Sequence, residues 1–321
     1  MQKRVSWIDW AKVICIWLMV SCHAGQKGML LDLTYQFHMP AFMIISGLLF
    51  RPKGVLKELK SFGFPIVCFG VITQAYHLAI DMFKGNDNIE FSCRALFIIK
   101  SSLTSLFMES PISWFQGYWF VVTLLFLRLL MENKVVREQK LFIGVASMIW
   151  CCVEPMLDIP EQIVGMKFYH VLSCMPFFVI GMLVNEKKID VTKGYLELKL
   201  VSFVLFVILT FIQGRVDLGG YNYGLNYIVM FVNAICGSWL LFGICALFPY
   251  RKYIQDLSTG TFLILGLHGI MYGYIIKASH LVLGTNIYYT PLLVGVSALC
   301  LLYPLIRWCI THTPILLGKV H

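Results

Sequence analysis

The run from Ile8 to His23 reads IDWAKVICIWLMVSCH, and it carries Asp9, Lys12 and His23 inside an otherwise apolar stretch. An ionisable side chain near the centre of a membrane helix costs at least about 2.5–3.5 kcal/mol, so each one needs a partner or a function. The eleven-residue step from Lys12 to His23 is three helical turns plus about 20°, which predicts both side chains on one face, about 16 Å apart along the axis. Asp9 falls about one turn before Lys12 on that face and is placed to pair with it. A neutral imidazole can take a proton from a hydroxyl, and a lysine can hold a phosphate as a point charge. The plainer alternatives are an interfacial Asp9–Lys12 pair with a snorkelling lysine, and a His23 bonded to a backbone carbonyl.

Further polar residues fall in later apolar runs. The stretch FHMPAFMIISGLLF, Phe37 to Phe50, contains His38, Pro40, Ser46 and Gly47. Pro40 is expected near the start of a helix, and Ser46-Gly47 gives a small face on which another helix can approach closely. A short connection to the first helix predicts that His23 and His38 face the same outer mouth, although His38 also suits an interfacial anchor. His268 stands between Gly266 and Gly269 and is expected near mid-membrane, in a packing or a functional role. The stretch from Trp114 to Phe120, with Trp119 in it, reads first as an interfacial aromatic belt. The cysteines have no Cys-x-x-Cys or Cys/His spacing, so no metal is expected. Cys93, Cys151 and Cys152 are candidates for an outer disulfide.

The elements that must position these groups follow from composition. Of 321 residues, 59% are apolar and 13% charged, with a mean hydropathy of +0.76. A soluble domain carries about 25% charged residues, so the surplus apolar surface here is expected to face lipid. The net charge of +9, from 26 Lys and Arg against 17 Asp and Glu, is dispersed in short clusters between apolar runs. That dispersion excludes a nucleic-acid-binding face and fits the cytoplasmic loops of a membrane protein.

The expected fold is an all-α integral membrane protein of about ten transmembrane helices in one bundle, with both termini cytoplasmic and a single domain over residues 1–321. Spans of sufficient length fall at about 7–25, 37–50, 62–80, 117–131, 141–153, 168–184, 198–213, 226–248, 260–277 and 290–310. With the N-terminus inside, Arg51 to Lys60, Lys134 to Lys140, Lys187 to Lys199 and Arg251-Lys252 all fall on the cytoplasmic side, as the positive-inside rule asks. That scheme requires residues 92–108, with Arg94 and Lys100, to be an outer interfacial or re-entrant helix rather than an eleventh span. Lys3 and Arg4 ahead of an apolar run resemble a secretory signal, but Asp9 and Lys12 interrupt it and similar runs follow, so a permanent first helix is expected. The expected location is a cell (inner or plasma) membrane, crossed many times.

These residues resemble the acyltransferase-3 type of integral membrane acyltransferases, including the fucose 4-O-acetylase-like group. The first helix is similar to that family's opening pattern, in which a basic residue precedes a histidine by eleven positions, and FHMPAFMIISG resembles its second signature. Weaker similarities are Tyr118 to Leu124, Pro176 to Gly181 (PFFVIG) and His268. The resemblance implies transfer of an acyl group, usually acetyl from cytoplasmic acetyl-CoA as co-substrate, to a hydroxyl of a sugar, polysaccharide or lipid-linked glycan. It implies His23 as the catalytic histidine and Lys12 as its basic partner at the donor. The chain departs from the pattern in having Lys12 where arginine is commoner. It also lacks the Arg-x-x-Arg motif that many relatives carry in the third helix, for which Arg51, Lys53 or Arg128 are the available substitutes.

The acyltransferase reading gives Asp9, His38, Ser46, Trp119 and His268 supporting roles around acceptor and oxyanion. A rival reading is a secondary transporter or exporter that relays protons through the same Asp, Lys and His residues, which would favour two symmetric halves with broken helices in matching positions. A third is a non-catalytic assembly subunit, in which those residues could be replaced freely.

Overall fold

The computed structural model describes residues 5–83, 96, 100, 117–157, 167–283 and 290–319. The chain runs through helices α1 (Ser6–His23), α2 (Met29–Leu48), α3 (Val55–Glu58), α4 (Phe64–Phe83), α5 (Tyr118–Glu132), α6 (Lys134–Glu138), α7 (Lys140–Val153), α8 (Lys167–Glu186), α9 (Leu196–Gln213), α10 (Tyr227–Ala246), α11 (Lys252–Thr259), α12 (Thr261–Leu283) and α13 (Thr290–His312). A π-helical turn, Leu59–Gly63, joins α3 to α4. Among the described residues there is no strand, only an isolated bridge between Asp217 and Asn222. Apart from Leu96 and Lys100, which are helical, the segment 92–108 lies outside the described residues.

Six helices among the described residues are long and apolar enough to cross a membrane: Val55–Ile80, Phe168–Glu186, Leu196–Gln213, Tyr227–Ala246, Thr261–Ala278 and Pro291–His312. The chain is therefore a multi-pass membrane protein. Helices α5 and α7, of 15 and 14 residues, are shorter than that set requires. Helices α1 and α2 are long enough, with 18 and 20 residues, but carry Asp9, Lys12 and His23 in one and Asp32, Gln36 and His38 in the other.

The second helix corrects an expectation. It begins at Met29 rather than at Phe37, and Pro40 lies well inside it. Gly28, at φ 68°, turns the chain into the helix. Its early polar residues then bond to the helix's own backbone: Thr34 Oγ1 donates to Leu30 O at 2.7 Å, and His38 Nδ1 to Thr34 O at 2.7 Å. Hydropathy registers the polar side chains but not these bonds, so it sets the start too late.

Close packing of α2 on α8 fixes the centre of the bundle. A Cβ on Gly47 would run into the Phe178 carbonyl, and one on Gly181 into the Ile44 carbonyl. The small Ser46-Gly47 face thus meets Gly181 of the PFFVIG stretch, and the two backbones approach as small-residue pairs allow. Helix α1 is enclosed by α2, α10, α11, α12 and α13. Its indole N–H groups fasten it: Trp10 Nε1 donates to Pro249 O at 2.9 Å and Trp17 Nε1 to Leu292 O at 3.0 Å. Helix α9 is peripheral, presenting Leu200, Val201, Phe203 and Phe211 outward to the lipid.

Candidate functional site

His23 closes α1, and its ring lies against His268 of α12. The centroids are 5.1 Å apart with the planes at 21°, and His23 Nδ1 is 2.9 Å from His268 Nε2. His268 is fully buried, and its Nδ1 lies 3.0 Å from both Ile264 O and Leu265 O. Carbonyl oxygens only accept, so His268 Nδ1 bears the hydrogen and, in the neutral ring, Nε2 is an acceptor. Its partner, His23 Nδ1, must therefore donate. The hydrogen-bond network thus assigns the tautomers, leaving the lone pair of neutral His23 on Nε2. His38 is fixed by the same logic: it is buried, and its Nδ1–H donates to Thr34 O. It lies within electrostatic reach of His23 and 5.3 Å from the Tyr35 ring. It is an interior residue of α2, not an interfacial anchor.

The opposite end of α1 opens into a cavity of about 930 Å³, within the range of roughly 300–1,000 Å³ common for ligand sites. Asp9 and Lys12 line it, with Ser46 from α2, Arg51, Arg128 from α5, Lys188 and Asp190 after α8, and Lys319. Its inner wall includes Leu265, whose carbonyl holds His268. Lys12 lines the cavity, whereas neither His23 nor His268 is part of its lining; His268 stands one turn past Leu265 on α12.

Arg128 is held rigidly. Its Nε and Nη2 donate to the two Glu58 oxygens at 2.9 and 2.7 Å, and its guanidinium stacks between Phe50 and Phe62 at 5.1 and 4.9 Å. Lys53 reaches the same carboxylate at 3.6 Å. Burial, and then the nearby Arg128 cation, pull the Lys53 ammonium below its ordinary pKa against the opposing pull of Glu58. Asp190 is held below the usual carboxylate range, mainly by the Thr192 hydroxyl that donates to it at 2.6 Å.

Trp119 begins a stack of three rings. It packs on His170 at 4.8 Å, and His170 packs on Tyr221 at 4.2 Å. His170 Nε2 is paired with Gly219 O at 3.0 Å, so its Nδ1 accepts from the Tyr221 hydroxyl at 2.9 Å. Trp119 thus supports the segment between α9 and α10; its ring neighbours are His170 and Phe120.

A family model described as an acyltransferase domain, of the acyltransferase-3 type, matches residues 5–305. The chain belongs to that family. No curated protein and no solved structure matches this membrane acyltransferase.

The fold of the acyltransferase brings two of the residues singled out from its sequence, His23 and His268, into direct contact, and gathers Asp9, Lys12 and Ser46 in one cavity. Sequence reasoning missed the Arg128–Glu58 pair, although a charge within an apolar run, such as Arg128, always asks for a partner. It also missed His170, to which the same signal applied. The described cysteines, Cys151 and Cys152 included, are free, and Cys93 lies outside the described residues. Among the described residues, no group of three or more His, Cys, Asp or Glu could hold a metal ion.

Proposed function

We propose that the protein is an O-acyltransferase of a cell membrane that moves an acetyl or similar acyl group from cytoplasmic acyl-CoA to a hydroxyl of a sugar, polysaccharide or lipid-linked glycan. The observation that carries the reading is the hydrogen-bonded His23–His268 pair, whose tautomers leave a proton-accepting nitrogen on His23. The N-terminus lies in the cytoplasm and ten helices cross, α1, α2, α5 and α7 being the four whose length or polar residues keep them below a simple hydropathy criterion. Placing the cavity on the cytoplasmic side agrees with the basic residues that line it.

The donor's phosphates sit among Lys12, Arg51, Lys188 and Lys319, with Arg128 already committed to Glu58. The pantetheine arm runs along α1 toward His23, a distance of about 16 Å from Lys12 at 1.5 Å per residue. His23 Nε2 takes the acceptor hydroxyl proton as the oxygen attacks the thioester carbonyl, and returns it to the departing thiolate. His268 holds the imidazole in the tautomer that permits this. The chain's own thermal movement opens the step past Leu265, as gating of a substrate channel requires.

The test is transfer of radiolabelled acetyl from acetyl-CoA to the cell's surface glycan. His23→Ala lowers the rate by about 10²- to 10⁴-fold, the usual weight of a general base. Activity near the wild-type level in that variant removes His23 from the chemistry. A transporter using the same residues would instead move solute without labelling the glycan.

A further inference from the structure

The segment between α9 and α10 contains a single cation, Arg215. In the proposed orientation it lies on the outer face, where the positive-inside bias disfavours lysine and arginine. Arg215 is exposed, forms no ion pair among the described residues, and has its guanidinium carbon 5.9 Å from the Tyr35 ring centroid. It is within electrostatic reach of Cys22, the residue that precedes His23. Tyr35 in turn is 5.3 Å from His38. A free guanidinium therefore stands at the end of α1 that carries the reactive ring.

Two structural explanations for this cation fail. Anchoring the segment does not need it: Gln36 Nε2 donates to Gly214 O at 2.9 Å, Asp217 and Asn222 exchange backbone bonds at 2.8 and 2.9 Å, and His170 and Tyr221 fasten Gly219 and the turn. Nor is it paired with Asp217: the two form no ion pair among the described residues, and Asp217 Oδ1 accepts from Gly219 N and Gly220 N at 3.1 and 3.2 Å and serves the turn. What remains is a fork of donors on a well-anchored segment, open to a ligand, and that fork matches carboxylate and phosphate oxygens.

We propose that Arg215, seated on Tyr35, is the anion-recognising part of the acceptor subsite, so that the acceptor is an acidic sugar bearing a carboxylate or phosphate near the hydroxyl to be acylated. This rests on the acyltransferase reading. Tyr35 supplies the flat face on which the guanidinium lies and so fixes the direction of its free N–H groups.

The experiment uses the full chain in lipid nanodiscs and three probes: methyl β-D-glucoside, methyl β-D-glucuronide and methyl β-D-glucoside 6-phosphate. Binding is measured by calorimetry and acetyl transfer with labelled acetyl-CoA. The expected result is that the wild type binds at least one charged probe tenfold or more tightly than the neutral one, and which charged probe it prefers identifies carboxylate or phosphate as the source. Arg215→Gln abolishes that preference while leaving affinity for the glucoside unchanged, and Arg215→Lys retains part of it. Equal affinity for all three probes, a preference that survives Arg215→Gln, or no binding of any probe overturns the proposal. His23→Ala separates the two readings: if it keeps the charge preference but still transfers acetyl, the catalytic assignment fails and the subsite stands.

Discussion

Replacing His268 with phenylalanine isolates the weight of the histidine pair. Phenylalanine keeps a flat ring in a fully buried position of α12 but offers no nitrogen to His23 Nδ1, now 2.9 Å away. The Ile264 and Leu265 carbonyls lose only a shared side-chain donor, so the helix itself stays intact. His23 is left with a buried N–H and no acceptor, a loss of about 1–3 kcal/mol. If all of that loss is felt in the transition state, where the His23 ring carries positive charge, kcat falls about 5- to 150-fold. Donor KM stays level, because His268 does not line the cavity. His268→Gln, which retains an oxygen able to accept from His23 Nδ1, recovers part of the rate. Adding His268→Phe to His23→Ala costs nothing further, as expected for residues that act as one unit. The assay is steady-state acetyl transfer by purified protein, with thermal unfolding as the control for folding. A kcat for His268→Phe within twofold of wild type, in folded protein, refutes the reasoning.

Three other substitutions probe the rest of the architecture. Lys12→Ala removes one charge-assisted contact worth about 1.5 kcal/mol in this open cavity and raises the donor KM about tenfold without lowering kcat; an unchanged KM in donor titrations removes Lys12 from the phosphate site. Glu58→Ala leaves Arg128 buried with its main partner gone and destabilises the fold by about 3–5 kcal/mol, whereas the double change Glu58→Leu with Arg128→Met restores most of that loss; thermal unfolding in detergent should separate the two, and equal melting temperatures would deny the pair its structural weight. Gly47→Val forces its side chain into the Phe178 carbonyl and costs about 1–3 kcal/mol through separation of α2 from α8; a melting temperature equal to the wild type's would show that the backbones do not approach so closely.

How much of this was legible in the sequence depended on how far each interaction reaches along the chain. The alignment of Asp9 and Lys12 on one face follows from the period of a single helix, and both line the same cavity. The placement of Ser46-Gly47 as a contact face was equally local, since a residue without a side chain advertises close approach wherever it stands. The contact between His23 and His268 spans 245 residues, and no periodicity within one helix can report it. Spacing along α1 likewise says nothing of where a cavity ends: its lining includes Lys12 and Leu265 but neither His23 nor His268. Arg128 was visible as a charge in an apolar run, but its partner Glu58 stands 70 residues away at the end of α3, a distance no local pattern reports.

Hydropathy and burial diverge in this fold for a physical reason that bears on function. Helix α9 has a mean hydropathy of 2.0 over its most apolar stretch with only 17% of it buried within the protein, whereas α8, at 1.6, is 72% buried. A helix whose surface faces lipid must be apolar all round, but one enclosed by other helices can carry polar groups wherever those neighbours satisfy them. Helices α1 and α2 are enclosed in the same way as α8: they are less apolar than the six long apolar helices, yet hold buried Asp9, Ser21, Thr34, Gln36 and His38. Enclosure of α1 by five neighbouring helices is what makes a histidine pair sustainable at its end. Hydropathy alone does not rank the helices by enclosure, since α10 at 2.1 is 50% buried and α12 at 1.4 only 33%; the residues able to do chemistry are held where neighbouring groups satisfy them one by one, as the His23 ring and the Ile264 and Leu265 carbonyls do for His268 on α12.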